Sequence, residues 1–392
     1  MKILMIAPEP FFEPRGTPFS EYFRIKALCE LGHRVDLVTY PIGEDKDIEG
    51  LKIFRCFRPP FIKAVKTGPS AAKLALDFFL FFKALARALR GGYDLIHTHE
   101  EANIMGAVLN RITKTPHLYD MHSSLVQQME NFKFTKSKMI TGFFKWIEKI
   151  SLRNARSVIV ICRSLYDYAA GITNKEKLTV IENFMDDTPA ERDREKLEQV
   201  KKEIGSQNWK IITYTGTLET YQGIPLLIDS MMHLAESPEH VQGKNGFRLV
   251  LIGGKPAQVE AMKTLVKEKG LEDRVLLLGS KKPEEIPYYL EASDVLVSPR
   301  ILGTNIPLKI YSYLKSGVPV VVTNLYTHTQ SINEDIAILV EPEAAAFAQG
   351  IRDAAAEKGK TVTRNAAEFC RRNYSNARYL ELVTEALNKG SD

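Results

Sequence analysis

Two cations and three histidines are placed where this chain could do chemistry. Arg300 and Lys309 flank Gly303-Thr304-Asn305, which leads through Ile306 into Pro307 and Leu308. Proline is favoured at a first helical position because its missing N–H would find no partner there. A loop at such a helix start turns backbone N–H groups and a positive dipole end toward an anion. Two full charges beside it make the layout of a diphosphate site. Gly216-Thr217 with Gln222, Gly253-Gly254, and Leu278-Gly279 each follow an apolar run, where glycine lets a ligand approach the backbone closely. His97, His99 and Glu100 in IHTHEE and His122 in LYDMHSS crowd two neighbouring strand ends. His-x-His also suggests a metal pair, but no third and fourth ligands stand out in the sequence. Asp45-Lys46-Asp47 is a literal D-x-D, set in a polar loop with Gly43 and Glu44 that reads as a solvated turn. No G-x-G-x-x-G dinucleotide fingerprint is present.

These residues need strand ends to hold them, and the chain supplies an alternation of strands and helices. In the first half, strands are expected at Ile3–Ala7, Arg34–Thr39, Leu51–Arg55, Leu95–His97, His117–Tyr119, Ser157–Ile161 and Leu178–Ile181. Helices are expected over Ser20–Leu31, Ala71–Leu89, Ala102–Arg111 and Lys138–Arg153. Residues 187–206 are polar and read as a linker followed by a surface helix. The alternation restarts with Lys210–Thr215, helix Ile224–Ala235, Arg248–Ile252, helix Ala257–Lys269, Val275–Leu278, helix Glu284–Glu291 and Val295–Val297. A helix entered at Pro307, continued by Lys309, Ile310, Tyr311 and Leu314 and ended by Gly317 then precedes Val318–Thr323. One long helix is expected from Thr363 to Leu387. Alternation of this kind implies parallel sheets covered on both faces. The fold class is therefore α/β, with two Rossmann-like halves joined near residue 190. Ligands in such sheets lie at the carboxyl ends of strands, and a cleft between two facing halves is the default site.

The segment Ser298–Val321 also resembles a known family, the family 4 retaining glycosyltransferases of GT-B fold. They carry "SP…GxPLKIxEYMAxGxPVVAT" or "SP…EGFGLxxLEAMAxGxPVVA" here. This chain has Ser298-Pro299, Thr304-Asn305-Ile306-Pro307-Leu308-Lys309-Ile310, Ser312 and Gly317-Val318-Pro319-Val320-Val321, without a gap. It departs at the family's paired glutamates, where Thr304 and Ser312 stand. It departs again at "GRL…KG", whose diphosphate-clasping Arg and Lys positions hold Thr217 and Gln222. The resemblance implies a nucleotide-diphosphate sugar bound by the second half, with Ser312 near the ribose and Leu278-Gly279 near the base. Gly16-Thr17 would lie near the donor phosphates, and His122 would touch the transferred sugar. His97, His99 and Glu100 are candidates on the acceptor side. It also implies transfer with retention, no metal or other cofactor, and a three-part division: 1–190, 191–370, and a helix from 371–392 crossing back to the first domain. The rival reading is a catalytically silent GT-B protein that binds a nucleotide sugar or glycan, motivated by Ser312, Thr217 and Gln222; an epimerase of the same fold is a third.

Bulk properties bound the setting. The 392 residues exceed one compact core, and 44% apolar with 26% charged is the balance of a water-soluble globular chain. Four scattered cysteines without a C-x-x-C argue for a reducing compartment. No signal peptide is visible, so a cytoplasmic setting is expected. The net charge is +5, but residues 51–150 hold 16 Lys/Arg against 7 Asp/Glu, an excess of +9. That excess suits an anionic membrane surface, on the inner face of the cell membrane, or a lipid-linked acceptor. Nucleic acid is not expected, because the aromatics sit within apolar runs and not between the cations. The helix Lys138–Arg153 sets Phe143, Phe144 and Trp146 beside Lys145 and Lys149, which suits a membrane interface or a core helix with solvated lysines.

Overall fold

The computed structural model describes residues 1–12, 16–60, 62, 65, 70–124, 138–182, 193–235 and 246–390. The chain divides into two compact units, residues 1–186 with 376–392, and residues 187–375. The expected join near residue 190 lies outside the described residues.

The first unit is built on seven parallel strands: β1 Lys2–Ala7, β2 Arg34–Thr39, β3 Leu51–Arg55, β4 Leu95–His99, β5 His117–Met121, β6 Ser157–Val160 and β7 Leu178–Val180. Their order is β3-β2-β1-β4-β5-β6-β7, so the winding reverses between β1 and β4. β1, β4, β5 and β6 are buried almost throughout, which is why they read as unbroken apolar runs and not as alternations. Odd-numbered residues of β1 pack with Phe23 and Leu28 of helix Gly16–Glu30. Even-numbered ones pack with Leu76, Leu80 and Ala84 of helix Ala71–Gly91. That helix starts where the Ser70 side chain accepts from the Lys73 amide at 3.3 Å, and it ends at Gly92 in the left-handed region.

The second unit has six parallel strands: β8 Lys210–Thr215, β9 Phe247–Ile252, β10 Val275–Gly279, β11 Val295–Ser298, β12 Val320–Thr323 and β13 Ile338–Val340. Their order is β10-β9-β8-β11-β12-β13, with the reversal between β8 and β11. β13 has three residues and no sequence signal predicted it.

The expected long C-terminal helix is two helices, Glu357–Asn373 and Asn376–Asn388. The break has a tertiary cause. Tyr374 leaves helical geometry, its ring packs edge-on against Tyr311 at 5.0 Å, and its carbonyl accepts from Lys315 Nζ at 2.9 Å. The final helix belongs to the first unit, where Tyr379, Val383, Ala386 and Leu387 join the core beside β1. Arg156 Nη2 donates to Leu387 O at 2.6 Å, and Lys389 Nζ to Leu178 O at 2.6 Å.

Candidate active site

In the second unit the site forms where β8 and β11 part. β8 is followed by Gly216, whose amide donates to Ile252 O at 2.9 Å. Gly253 has φ +119°, and a Cβ there would lie 2.0 Å from Gly216 O. A Cβ on Gly223 (φ +72°) would lie 2.0 Å from Pro299 O. Only glycine lets these loops interlock. Ile301 N donates to Tyr221 O at 3.0 Å, so the loops after β8 and β11 are tied together. The third loop joins through Gly253 N, which donates to Gly279 O at 2.7 Å, and Ser280 Oγ, which donates to Gly254 O at 3.1 Å; Leu278 is half-buried beside it.

The two cations behave differently from flanking surface charges. Lys309 Nζ sits 3.6 Å above the Tyr214 ring and donates to Gln222 Oε1 at 3.4 Å. Tyr214 is held by its own hydroxyl, which donates to Thr217 O at 2.7 Å. Burial, reinforced by Arg300, pushes the Lys309 ammonium well below its ordinary range. Arg300 lies over the Tyr221 ring at 5.2 Å; its Nε donates to Leu302 O at 2.8 Å and its Nη1 to Asn305 O at 3.0 Å. Burial lowers its pKa as well. Arg300 thus shapes the 302–305 loop besides presenting charge. Among the described residues no carboxylate pairs with Arg300 or Lys309 within salt-bridge distance. Two desolvated cations without a counter-charge are costly alone and favourable around an anion.

The helix after the loop starts later than the sequence predicted. It spans Lys309–Lys315, with Leu308 as its N-cap, so Pro307 precedes it. Ile310 N donates to Pro307 O at 3.0 Å and Tyr311 N to Leu308 O at 3.3 Å, three-residue spacings that tighten the entry. With seven residues its dipole is short, and the local positive charge rests chiefly on the side chains. Ile306 and Pro307 are buried under the loop, Thr304 is exposed, and Ser312 is half-buried on the helix. The loop is pinned from behind: Thr327 Oγ1 donates to Asn305 O at 2.8 Å, and Gln330 Nε2 to Thr304 O at 2.6 Å. Thr217 is exposed and Gln222 buried. His328, which sequence reasoning passed over, bridges Ser298 Oγ at 3.0 Å and Thr323 O at 3.0 Å. Burial takes its pKa down to about 3, so it is a neutral brace between β11 and β12.

In the first unit the three histidines do come together. His97, His99 and Asp120 are pointed to one face by strand register, since His99 on β4 pairs with Asp120 on β5. The His97 and His99 rings stack with centroids 5.0 Å apart. His99 Nδ1 is 3.3 Å from His122 Nε2, and His122 Nε2 is 3.2 Å from Asp120 Oδ1. The sequence reading omitted the hub of this cluster. Arg24 Nε donates to Asp120 Oδ2 at 2.8 Å, and His97 Nε2 lies 3.4 Å from the same oxygen. Burial opposes ionisation of Asp120, but Arg24 and His122 hold its pKa well below the usual carboxylate range. The signal was available: Glu21 and Arg24 stand on the inward face of helix Gly16–Glu30, where charge is rare unless paired.

Glu100 follows β4 with φ +48°, left-handed for a residue with a side chain, and accepts from Ser123 Oγ at 2.8 Å. Burial raises its pKa to about 7. Glu9 and Glu21 form a buried carboxyl pair, and burial raises Glu21 to about 8. Gly16 and Thr17 open helix Gly16–Glu30, the helix that carries Glu21 and Arg24.

Asp120 also corrects the expectation that His97 and His99 lack a third ligand type: ligand atoms of all three lie within 4.8 Å. The donor set fits a divalent cation poorly, because the Arg24 guanidinium already supplies the positive charge on Asp120. The arrangement instead fixes imidazole orientation through a carboxylate. Asp45 of the D-x-D accepts from Arg55 Nη2 at 2.6 Å, and Arg55 also reaches Phe11 O at 2.8 Å, so this is a structural turn.

The chain matches the family model "Glycosyltransferase Family 4" over residues 24–188 and "Glycosyl transferases group 1" over 195–376. It belongs to the family 4, group 1 glycosyltransferases. Among curated proteins this glycosyltransferase is similar to 2-deoxystreptamine glucosyltransferase of Streptomyces kanamyceticus, 24% identical over 70% of this chain and 73% of that one. It is also similar to alpha-D-kanosaminyltransferase of the same organism, 23% identical over 52% and 53% of the two chains. Among solved structures, Anabaena Alr3699/HepE in complex with UDP has a TM-score of 0.74 at 18% identity, covering 99% of this chain and 100% of that one. Sucrose-phosphate synthase of Thermosynechococcus elongatus has a TM-score of 0.73 at 20% identity, covering 99% and 98%. These two likenesses show the GT-B fold. The family gives the coarse activity of this glycosyltransferase, sugar transfer from a nucleotide-sugar donor.

Proposed function

We propose that the chain is a retaining glycosyltransferase that moves a sugar from a nucleotide-diphosphate sugar to an acceptor hydroxyl without a metal ion. The observation that carries this reading is the desolvated cation pair, Arg300 and Lys309, which has no carboxylate partner among the described residues, at the β8/β11 switch point of the second unit. Open α/β sheets bind ligands at this kind of point. In the reaction the bond between the sugar's anomeric carbon and the β-phosphate oxygen breaks, and negative charge grows on the diphosphate. Arg300 and Lys309 stabilise that charge, in place of a divalent ion. The acceptor oxygen bonds the anomeric carbon from the same side and gives its proton to the departing phosphate oxygen. His122 contacts the sugar, with its ring set by Asp120 and Arg24. Ser312 takes the ribose position and Leu278-Gly279 the base. His97, His99 and Glu100 belong to the acceptor side.

UDP-sugars head the donor panel, since Anabaena Alr3699/HepE is seen with UDP and with UDP-glucose. The acceptor we favour is a precursor of a surface polysaccharide or glycolipid, on the strength of the basic, apolar outer face of the first unit. The test is hydrolysis and thermal shift across UDP- and GDP-sugars. A bound donor at a hundredfold excess over Kd stabilises by about 2.7 kcal/mol. One donor should both stabilise the protein and release free sugar slowly, first as the anomer it carried. Release as the opposite anomer overturns retention, and dependence on added Mg²⁺ overturns the metal-free reading. A second reading, a silent nucleotide-sugar binder, is favoured by neutral Gln222 standing where the family has a cation; stabilisation without turnover in any acceptor extract would select it.

A further inference from the structure

We propose that the outer face of the first unit, formed by helices Ala71–Gly91, Asn103–Thr113 and Lys138–Asn154, docks on a bilayer containing anionic phospholipid. The first of these helices packs on the second and the second on the third, so their outer surfaces adjoin. On helix Ala71–Gly91 the inward positions Leu76, Leu80 and Ala84 are fully buried, as an amphipathic helix requires. The opposite side is apolar too. Leu74, Phe78, Phe82 and Leu89 are each more than half exposed, at 61%, 60%, 51% and 65%. Phe78 and Phe82 meet edge to face at 4.8 Å, and Phe57 extends the row through Phe79 at 5.1 Å. Ile112 carries the apolar surface across the middle helix. On the third helix Met139, Phe143 and Trp146, spaced four and three apart, form an outward stripe with Trp146 59% exposed. Exposed apolar area of this extent marks a contact surface.

Charge selects the partner. The three helices hold nine Lys/Arg and two acidic residues, Asp77 and Glu148. Both acids turn inward: Asp77 accepts from Tyr40 OH at 2.6 Å, and Glu148 is buried and accepts from Ser124 Oγ at 3.0 Å. Lys83, Arg90, Arg111, Lys145, Lys149 and Arg153 are exposed, so the outward charge of these helices is purely positive. Two copies of such a face repel each other. Aromatics and aliphatics among Lys and Arg, with no outward acid, match the headgroup and acyl boundary of an anionic bilayer. Among the described residues no helix is long and apolar enough to cross a membrane, so the contact is with the surface. That the docked enzyme would meet a lipid-borne acceptor rests on the glycosyltransferase reading; the docking does not.

The experiment is flotation of the full chain with phosphatidylcholine vesicles and with phosphatidylcholine–phosphatidylglycerol vesicles, at low and high salt, without donor. A Trp209→Phe background leaves Trp146 as the reporting indole, because the chain has two tryptophans. Binding to the anionic vesicles at low salt, a blue shift of Trp146 emission, and release by salt are expected. Lys145→Glu with Lys149→Glu should lower partition by roughly 30-fold or more, since each cation near the surface contributes about fivefold. Phe143→Ser with Trp146→Ser should abolish binding while circular dichroism stays unchanged, both side chains being solvent-facing. Donor hydrolysis in solution should be unaffected by all four changes. Absence of flotation at low salt, equal binding to neutral vesicles, or binding indifferent to these substitutions overturns the proposal. A lipid-free dimer that the serine changes dissolve, without flotation, makes the face a self-association surface instead. Because flotation uses no donor and hydrolysis no vesicle, failure of one leaves the other intact.

Discussion

Replacing Lys309 by methionine tests the site most sharply, because activity and stability should move in opposite directions. Methionine matches the length of the lysine stem and can lie on the Tyr214 ring that the ammonium now covers at 3.6 Å. What is lost is one charge-assisted contact to the leaving diphosphate, a cost of about 1.5–3 kcal/mol. Through the transition state this is roughly a 10–150-fold fall in kcat/KM. Stability should not fall with it. The ammonium is disfavoured in the ligand-free protein by burial and by Arg300, so its pKa lies well below the ordinary 10.5. Between the lowered pKa and 10.5 the unfolded chain binds more protons than the folded one, so wild-type stability rises with pH through that window. Lys309→Met removes this component, and its melting temperature at neutral pH should equal or exceed that of the wild type. A diphosphate beside Lys309 draws the pKa back up, so UDP binding in the same window should take up a proton. Calorimetry in two buffers of different ionisation enthalpy reads that uptake, and the variant should lack it. Unchanged turnover and UDP affinity in a normally folded Lys309→Met protein would refute the diphosphate assignment. A clear drop in melting temperature would refute the claim that the charge is held at a cost.

Arg300→Ala should reduce turnover by a similar factor, but it also releases Leu302 and Asn305, so loop proteolysis should increase where Lys309→Met leaves it unchanged. Ser312→Glu should strengthen UDP or GDP binding if the helix lies along the ribose, and calorimetry showing no change with either nucleotide counts against that placement. His122→Ala should impair transfer far more than nucleotide affinity; equal losses in both would remove His122 from the sugar. Burial raises Glu21 from 4.5 to about 8, so the folded chain holds a proton that the unfolded chain releases, and stability should decline as pH rises from about 4.5 to about 8. Glu21→Gln should flatten that decline in thermal melts, and an unchanged slope would place the titration elsewhere.

The sequence by itself determined the fold. Strands buried on both faces must be apolar throughout, and helices that cover them must be amphipathic, so the alternation was legible from Ile3 to Thr323. It also marked the strand-end glycines such as Gly253, and the structure supplies the reason, because a Cβ there would meet Gly216 O. Tertiary structure decided the chemistry. Asp120 and Arg24 are distant in sequence, and only the register of β4 against β5 and the docking of helix Gly16–Glu30 bring them to His97, His99 and His122. Lys309 and Arg300 read from the sequence as full charges flanking a diphosphate loop; the Tyr214 and Tyr221 rings and the loops after β8 and β11 make them desolvated neighbours. The break at Tyr374 depends on Tyr311 and Lys315, about sixty residues earlier in the chain, and β13 depends on pairing with β12. Local pattern records whether a residue is buried and how the backbone turns. Which groups meet in the interior, and hence their charge state, is set by packing between segments that no local pattern connects.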